Sequence, residues 1–228
     1  MAILKKIAQC GVKVVGLDLQ LDAVDKLKIE LKTAKIYSFV CDVTKDDATV
    51  NAFNWIEKNV GPIDILVNCA GIHKNIATLD QQKSMAEIAN HIDVNYTAFI
   101  RCTRLAMKSI ESRDVHAYII NINCVYGHYV FPTKDVQLGI YGGTKFAVKA
   151  TSDVMRFELN RRDNRKVRIS NISPGVCNRK PSEEIDNSSF INPAIKPDHI
   201  GDTVIYLLTT PYEVTITDLQ IRATGSDL

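Results

Sequence analysis

The sequence predicts an α/β fold: a doubly wound parallel sheet with helices on both faces. Three observations carry the prediction. Short, largely apolar runs that read as strands recur at 12–17, 36–40, 63–67, 118–122 and 167–172, and the run at 118–122 lacks alternation, the pattern of a strand buried on both sides. Segments of helical periodicity lie between them, so strand and helix alternate along the chain. The 228 residues, 46% of them hydrophobic, suffice for one domain, 1–228, around a sizeable core. No repeat, low-complexity tract or linker divides it.

Taken in order, residues 2–9 read as a helix stopped by Gly11, a residue suited to the left-handed turn that ends helices. The strand at 12–17 ends on Asp18, and a polar amphipathic helix follows over 22–32. The strand at 36–40 is closed by Asp42, Val43 and Thr44. Thr44 or Asp46 is placed to cap the next helix, which carries Val50, Phe53, Trp55 and Ile56 and stops at Gly61 and Pro62. The strand at 63–67 leads into NCAG at 68–71. A long helical segment covers 81–109, with a break expected near 93–95. After the central strand at 118–122, a helix opens at Tyr141 and runs to about Arg162, followed by the strand at 167–172. Residues 176–195 are polar, contain Pro181 and Pro193, and read as a mobile loop. A helix over 197–209 has proline at its first position, and a last strand covers 214–221.

A formal net charge of +2 leaves no basic or acidic excess, which argues against a nucleic-acid partner. No apolar run approaches the ~20 residues of a bilayer span. The first residues, MAILKK, place their charges after the apolar ones and lack a signal-peptide core. Cys10, Cys41, Cys69, Cys102, Cys124 and Cys177 form no CxxC pair; reduced, buried thiols in a cytoplasmic compartment are expected. Asn95 and Asn187 each head an N-x-S/T triplet, which carries no weight without a secretory signal. The histidines show no ligand spacing, so no metal site is expected.

In such a fold ligands sit beyond the carboxyl ends of the strands, where Asp18, Asp42, Asn68, Cys124 and Ser173 fall. In YGGTK at 141–145, Tyr141 and Lys145 share one helix face. An ammonium beside a phenol favours the phenolate and lowers its pKa, giving a proton donor and acceptor usable near neutral pH. The pair gains meaning from its setting: a buried strand ending in NINCVYG at 121–127, with NCAG at 68–71, Asn95, and SPG at 173–175. Together these resemble the short-chain dehydrogenase/reductase family, and within it the farnesol dehydrogenase-like group of insects. The resemblance runs the length of the chain.

It implies a Rossmann-type fold and an oxidoreductase moving hydride between NAD(P) and an alcohol or carbonyl. The implied substrate is an apolar alcohol such as an isoprenoid, a steroid or an aldehyde, and the implied assembly a homo-oligomer. By the same resemblance Asn95, Cys124, Tyr141 and Lys145 form the catalytic set. Tyr141 exchanges a proton with the substrate oxygen, Lys145 lowers its pKa and holds the nicotinamide ribose, and Asn95 supports a water-borne proton path. Cys124 stands where the family has a serine that hydrogen-bonds the substrate oxygen; a thiol is a weaker donor with a bulkier atom.

The implied cofactor cleft comprises Asp18, Asp42, Val43, Asn68, Ala70, Gly71, Tyr141, Lys145, Pro174 and Gly175. At Asp18 a carboxylate accepts from both adenosine ribose hydroxyls and repels a 2′-phosphate. Leu19 and Gln20 follow it where the group carries arginines, so NAD is favoured over NADP. The family's threonine after SPG has no counterpart at 176–179. Family members begin with a strand and a Gly-rich turn that holds the pyrophosphate. Aligned through residues 11–16, Met1 falls beyond that turn, so the expected fold lacks its first strand. The sheet then either keeps a gap between the strands at 12–17 and 63–67 or closes up around it. A rival function stands beside the enzyme: a catalytically impaired pseudoenzyme or truncated product that acts only as a binding or dimerisation partner.

Overall fold

The computed structural model describes residues 1–74, 76–130, 138–178 and 193–226. Helices and strands alternate through them: α1 (Ala2–Gln9), β1 (Val14–Asp18), α2 (Asp22–Glu30), β2 (Ile36–Val40), α3 (Asp46–Asn59), β3 (Ile65–Asn68), α4 (Met85–Ile92), α5 (Ala98–Glu111), β4 (Ala117–Ile122), α6 (Gly139–Arg161), β5 (Val167–Pro174), α7 (Pro197–Thr209) and β6 (Asp218–Ile221). Every strand pairing among them is parallel.

Alternate residues of β4 show why the sheet is covered twice. Ile119 joins Phe53 of α3, Cys102, Ala106 and Ile110 of α5, and Leu159 of α6 in one core. Tyr118 and Ile120 point the other way, onto Ile7 of α1 and Val204 and Leu207 of α7. A third cluster, Ala8, Val24, Leu27 and Ile36, seats α1 and α2 on β2. This is the doubly wound arrangement that the alternation of strands and helices along the chain predicts.

β1 and β2 form one sheet, and β3, β4, β5 and β6 form a second in that order. β1 and β3 do not pair with each other, and their residues are mostly half-buried where those of β4 are buried. Of the two expected arrangements, the sheet therefore keeps its edges apart and does not close up.

Several local expectations are corrected. The break near 93–95 is a π-helical turn, Asp93–Thr97, that carries α4 into α5 without interruption. Neither Thr44 nor Asp46 caps α3, whose N-cap is Lys45 with no side-chain bond. The Thr44 hydroxyl is engaged by Asp42 at 2.7 Å, and Asp46 pairs with Arg101. Of the apolar residues expected on α3, Phe53 and Ile56 are buried, with Thr49 and Ala52, while Val50 is exposed. The last strand begins at Asp218, four residues later than expected, although the Asn171 N–H already donates to the Thr217 carbonyl at 3.0 Å. The six cysteines are thiols not joined in disulfides, but only Cys41, Cys102 and Cys124 are buried. Of the loop expected at 176–195, Cys177 and Ile195 meet in a parallel bridge, while 179–192, with Pro181 and Asn187, lie outside the described residues. No described helix is long and apolar enough to cross a membrane.

Candidate active site

The residues singled out in the sequence lie where parallel strands end. Asp18, Asn68 and Pro174 are the last residues of β1, β3 and β5, and Asp42 and Cys124 follow β2 and β4.

Tyr141, in the first turn of α6, is buried against Cys124 and Val125, with Tyr126 and Leu138 packed beside them. Cys124 precedes a 3₁₀ turn, Val125–Gly127, with extended backbone. At Gly127 an added Cβ would stand 2.7 Å from Asn123 Nδ2 and 2.8 Å from the Lys145 carbonyl oxygen, so only glycine lets this turn press against α6. Lys145 lies one helical turn beyond Tyr141. Its Nζ is 5.7 Å from the centre of the Tyr141 ring and donates to the Ile122 carbonyl at 3.0 Å.

Asn95 sits in the π turn, a geometry concentrated at functional sites, and is buried. Its Oδ1 accepts from the Ile72 N–H at 2.8 Å, and its Nδ2 donates to the Ile72 carbonyl at 2.9 Å and to Thr144 Oγ1 at 3.3 Å. The amide thus clamps the backbone just after NCAG onto α6. At Gly71 an added Cβ would lie 3.6 Å from Asn95 Oδ1 and 3.8 Å from Lys145 Nζ. The missing side chain leaves that space open between them.

Asn68, Asn121, Asn171 and Asp218 occupy one register across β3, β4, β5 and β6. Their side chains form a continuous ladder. Asn68 Nδ2 donates to Asn121 Oδ1 (2.9 Å), Asn121 Nδ2 to Asn171 Oδ1 (3.1 Å), and Asn171 Nδ2 to Asp218 Oδ2 (3.2 Å). Thr103 and Ser152 add rungs at 3.0 and 3.1 Å. The ladder fixes the relative height of the strand ends. The Asn68 amide, expected to line a cleft, is engaged in it.

Asp18, Asp42 and Val43 belong to the smaller sheet. The exposed Asp18 carboxylate accepts the Gln20 N–H at 3.2 Å. Asp42 accepts both the hydroxyl and the N–H of Thr44, at 2.7 and 2.9 Å, which hold its carboxyl below the usual range. The Val43 carbonyl takes the Arg101 guanidinium at 2.7 Å, and its side chain packs on the main core. Ala70 is exposed, Pro174 is buried, and the Gly175 N–H bonds the Ile221 carbonyl at 2.9 Å.

Two neighbours of Tyr141 escaped the sequence reading. The exposed His73 ring lies edge-on 4.8 Å from the Tyr141 ring, and His91 approaches at 6.1 Å. His91 is fully buried, and neither ring nitrogen has a hydrogen-bond partner among the described residues. Burial, then His73, Lys74 and Lys145, push its pKa down, which favours the neutral ring. Asn123 is likewise buried with its side-chain amide unpartnered among the described residues. A signal for His91 existed: it precedes Asn95 by four residues and so shares its helix face.

The residues present fit a dinucleotide at two points. Asp18 offers an exposed acceptor for sugar hydroxyls, and the space at Gly71 opens beside the Lys145 ammonium.

The short chain dehydrogenase family profile matches residues 1–188. The farnesol dehydrogenase of Aedes aegypti is 32% identical, over 98% of this chain and 91% of that protein. Dehydrogenase/reductase SDR family member 11 of Homo sapiens is 30% identical, over 98% of this chain and 89% of that protein. Among solved structures, an alcohol dehydrogenase from the archaeon Thermococcus sibiricus, complexed with 5-hydroxy-NADP, superposes with a TM-score of 0.83 at 21% identity, covering 98% of this chain and 91% of that one.

Proposed function

The chain belongs to the short-chain dehydrogenase family, and from that premise we propose a division of labour for an oxidoreductase acting on an alcohol or carbonyl with NAD(P). The observation that carries the reading is the packing of Tyr141 with Cys124, and of Lys145 with Gly71 and Asn95, beyond the end of β4. A nicotinamide bound there supplies or takes the hydride at the substrate carbon. Tyr141 gives a proton to the substrate oxygen in reduction and takes it back in oxidation. Lys145, aimed by the Ile122 carbonyl, supplies positive charge beside the phenol and a donor for the ribose. Asn95 holds the Gly71 segment at the distance that keeps the cleft open. Cys124 offers a thiol hydrogen to the substrate oxygen, a weaker bond than a hydroxyl gives.

Asp18 selects NAD over NADP, because a carboxylate accepts from a free 2′-hydroxyl and repels a 2′-phosphate. Asp42 and Val43 border the adenine, Ala70 and the backbone of Asn68 the cleft, and Pro174 and Gly175 the nicotinamide amide. The substrate is an apolar alcohol or its carbonyl partner (an isoprenoid, a steroid or an aldehyde), a reading supported by likeness to a farnesol dehydrogenase. Residues 1–228 act as one domain. Exposed Val154 and Phe157 on α6 support a homo-oligomer joined through that helix, and six cysteines held as thiols support a cytoplasmic site of action.

The test is turnover by the purified protein, followed by absorbance of the reduced nicotinamide, with NAD and NADP offered against isoprenoid, steroid and short aliphatic alcohols. Turnover with an apolar alcohol, lost in Tyr141→Phe, supports the proposal. Binding of cofactor with no turnover of any of these, in either direction, refutes it.

A further inference from the structure

Three polar side chains that the reaction above does not use meet at the end of β5 and the start of β6. His128 Nε2 lies 2.8 Å from Ser173 Oγ and 3.2 Å from Asp218 Oδ1. Ser173 Oγ donates to the same carboxylate oxygen at 3.2 Å. A serine, a histidine and an aspartate suggest a nucleophile relay, but the geometry forbids one. A relay needs serine on one ring nitrogen and carboxylate on the other, whereas here a single nitrogen meets both.

The carboxylate decides the tautomer. An unprotonated Nε2 would set its lone pair against Asp218 Oδ1, so Nε2 carries the hydrogen and donates. Asp218 is then held by three donors: His128, Ser173, and Asn171 at the end of the side-chain ladder. His128 and Asp218 are both largely shielded from solvent, with 9% and 20% of their side chains exposed.

This anchor lies at one end of the turn that carries Cys124. The His128 N–H closes the turn onto the Val125 carbonyl (3.0 Å), and the Gly127 N–H bonds the Cys124 carbonyl (2.9 Å). At the other end the Asn123 N–H is fixed to the Ile172 carbonyl of β5 at 2.7 Å. Between the two ends Gly127 presses on the Lys145 carbonyl. Backbone holds one end of the turn, and the other is tied to β5 and β6 by the imidazole.

We propose that His128 is a positioning residue: it pins the Cys124 turn to the end of β5 and the start of β6 and thereby sets Cys124 against Tyr141. Its catalytic consequence rests on the reaction proposed above.

His128→Leu removes the donor while keeping bulk, and His128→Gln returns an amide N–H close to where Nε2 stood. Two readouts are compared with wild type: steady-state kinetics, and the rate at which a maleimide labels Cys124, followed peptide by peptide so that exposed Cys10 and Cys69 do not interfere. In His128→Leu, kcat should fall about 10–100-fold, the loss that ångström-scale misplacement brings, with the cofactor KM within about twofold. Cys124 should label faster, and His128→Gln should restore most of both. Wild-type kcat in His128→Leu overturns the proposal, as does a loss that His128→Gln leaves unrelieved. If the wild type itself turns nothing over, the reaction reading has failed separately and labelling alone decides: an unchanged Cys124 rate overturns the positioning role, and a faster rate reversed by His128→Gln upholds it. Should His128→Leu not fold, Asp218→Asn replaces it, since it neutralises the carboxylate that orients the imidazole.

Discussion

Replacing His91 with methionine should stabilise the protein although it deletes a polar group close to the active site. His91 is fully buried with neither ring nitrogen partnered among the described residues, and a buried polar group left unpaired costs ~1–3 kcal/mol. Methionine is of similar volume and flexible enough to fill an irregular site, so most of that cost is recovered. Unfolding entropy of roughly 2.1 cal/mol/K per residue over 228 residues makes 1 kcal/mol worth about 2 °C. The expected rise in Tm is therefore about 2–6 °C near neutral pH. The gap should widen in acid. Burial, reinforced by His73, Lys74 and Lys145, depresses the folded-state pKa of His91. Below about pH 6.5 the unfolded chain takes up a proton that the native ring refuses, so the wild type loses up to about 1.4 kcal/mol per pH unit that the variant keeps. Calorimetry of both proteins at about pH 7.5 and about pH 5.5 measures the two effects. A lower midpoint in His91→Met, or a gap that does not grow in acid, would refute the reasoning and show that the ring is satisfied, for instance by ordered water.

Asp18→Ala should narrow the preference for NAD over NADP, read as the ratio of their dissociation constants; a wild type that binds both equally removes the premise. Cys124→Ser should raise turnover, because a hydroxyl is the better donor to a developing oxyanion and losing one such donor costs roughly 10²–10³ in rate. An unchanged or lower rate would place Cys124 away from the substrate oxygen or show that the site is shaped to sulfur. Ser84 caps α4 in a reciprocal box with Glu87, its Oγ taking the Glu87 N–H at 3.2 Å and its own N–H reaching Glu87 Oε2 at 3.1 Å. Ser84→Ala should cost about 0.5–2 kcal/mol in a denaturant melt, and a neutral result would mean that α4 is held by packing alone.

The parts of the fold legible in the sequence are those decided locally. The helix expected at 197–209 is α7, because a proline at its start and an apolar face settle it without distant partners. The strand expected at 36–40 is β2 for a similar reason. The cap of α3 was misread because Asp42, from outside the helix, takes the Thr44 hydroxyl. The π turn was read as a break because one added residue shifts the apolar face much as an interruption does. Among site residues, the motif positions could be named, but the Asn68, Asn121, Asn171 and Asp218 ladder could not. Its members are 47 to 53 residues apart and align only once strand order and register are known. His128 was passed over for the same reason, since both its partners come from strands that follow it by 45 residues or more.

The edges of β1 and β3, unpaired among the described residues, should let the molecule open as two units. Among the described residues no ladder hydrogen bond joins the sheet of β1 and β2 to the sheet of β3 to β6, so β1, α2 and β2 can open without breaking any strand pairing in the larger unit. Native-state hydrogen exchange should then find the amides of β1 and β2 released by a sub-global opening of low free energy, while those of β4 and β5 wait for global unfolding. Asp18 rides on the first unit and Lys145 on the second. A ligand that touches both would act as a tie-bar between them, and its binding would register as slowed exchange in β1 and β2 well beyond the residues it contacts.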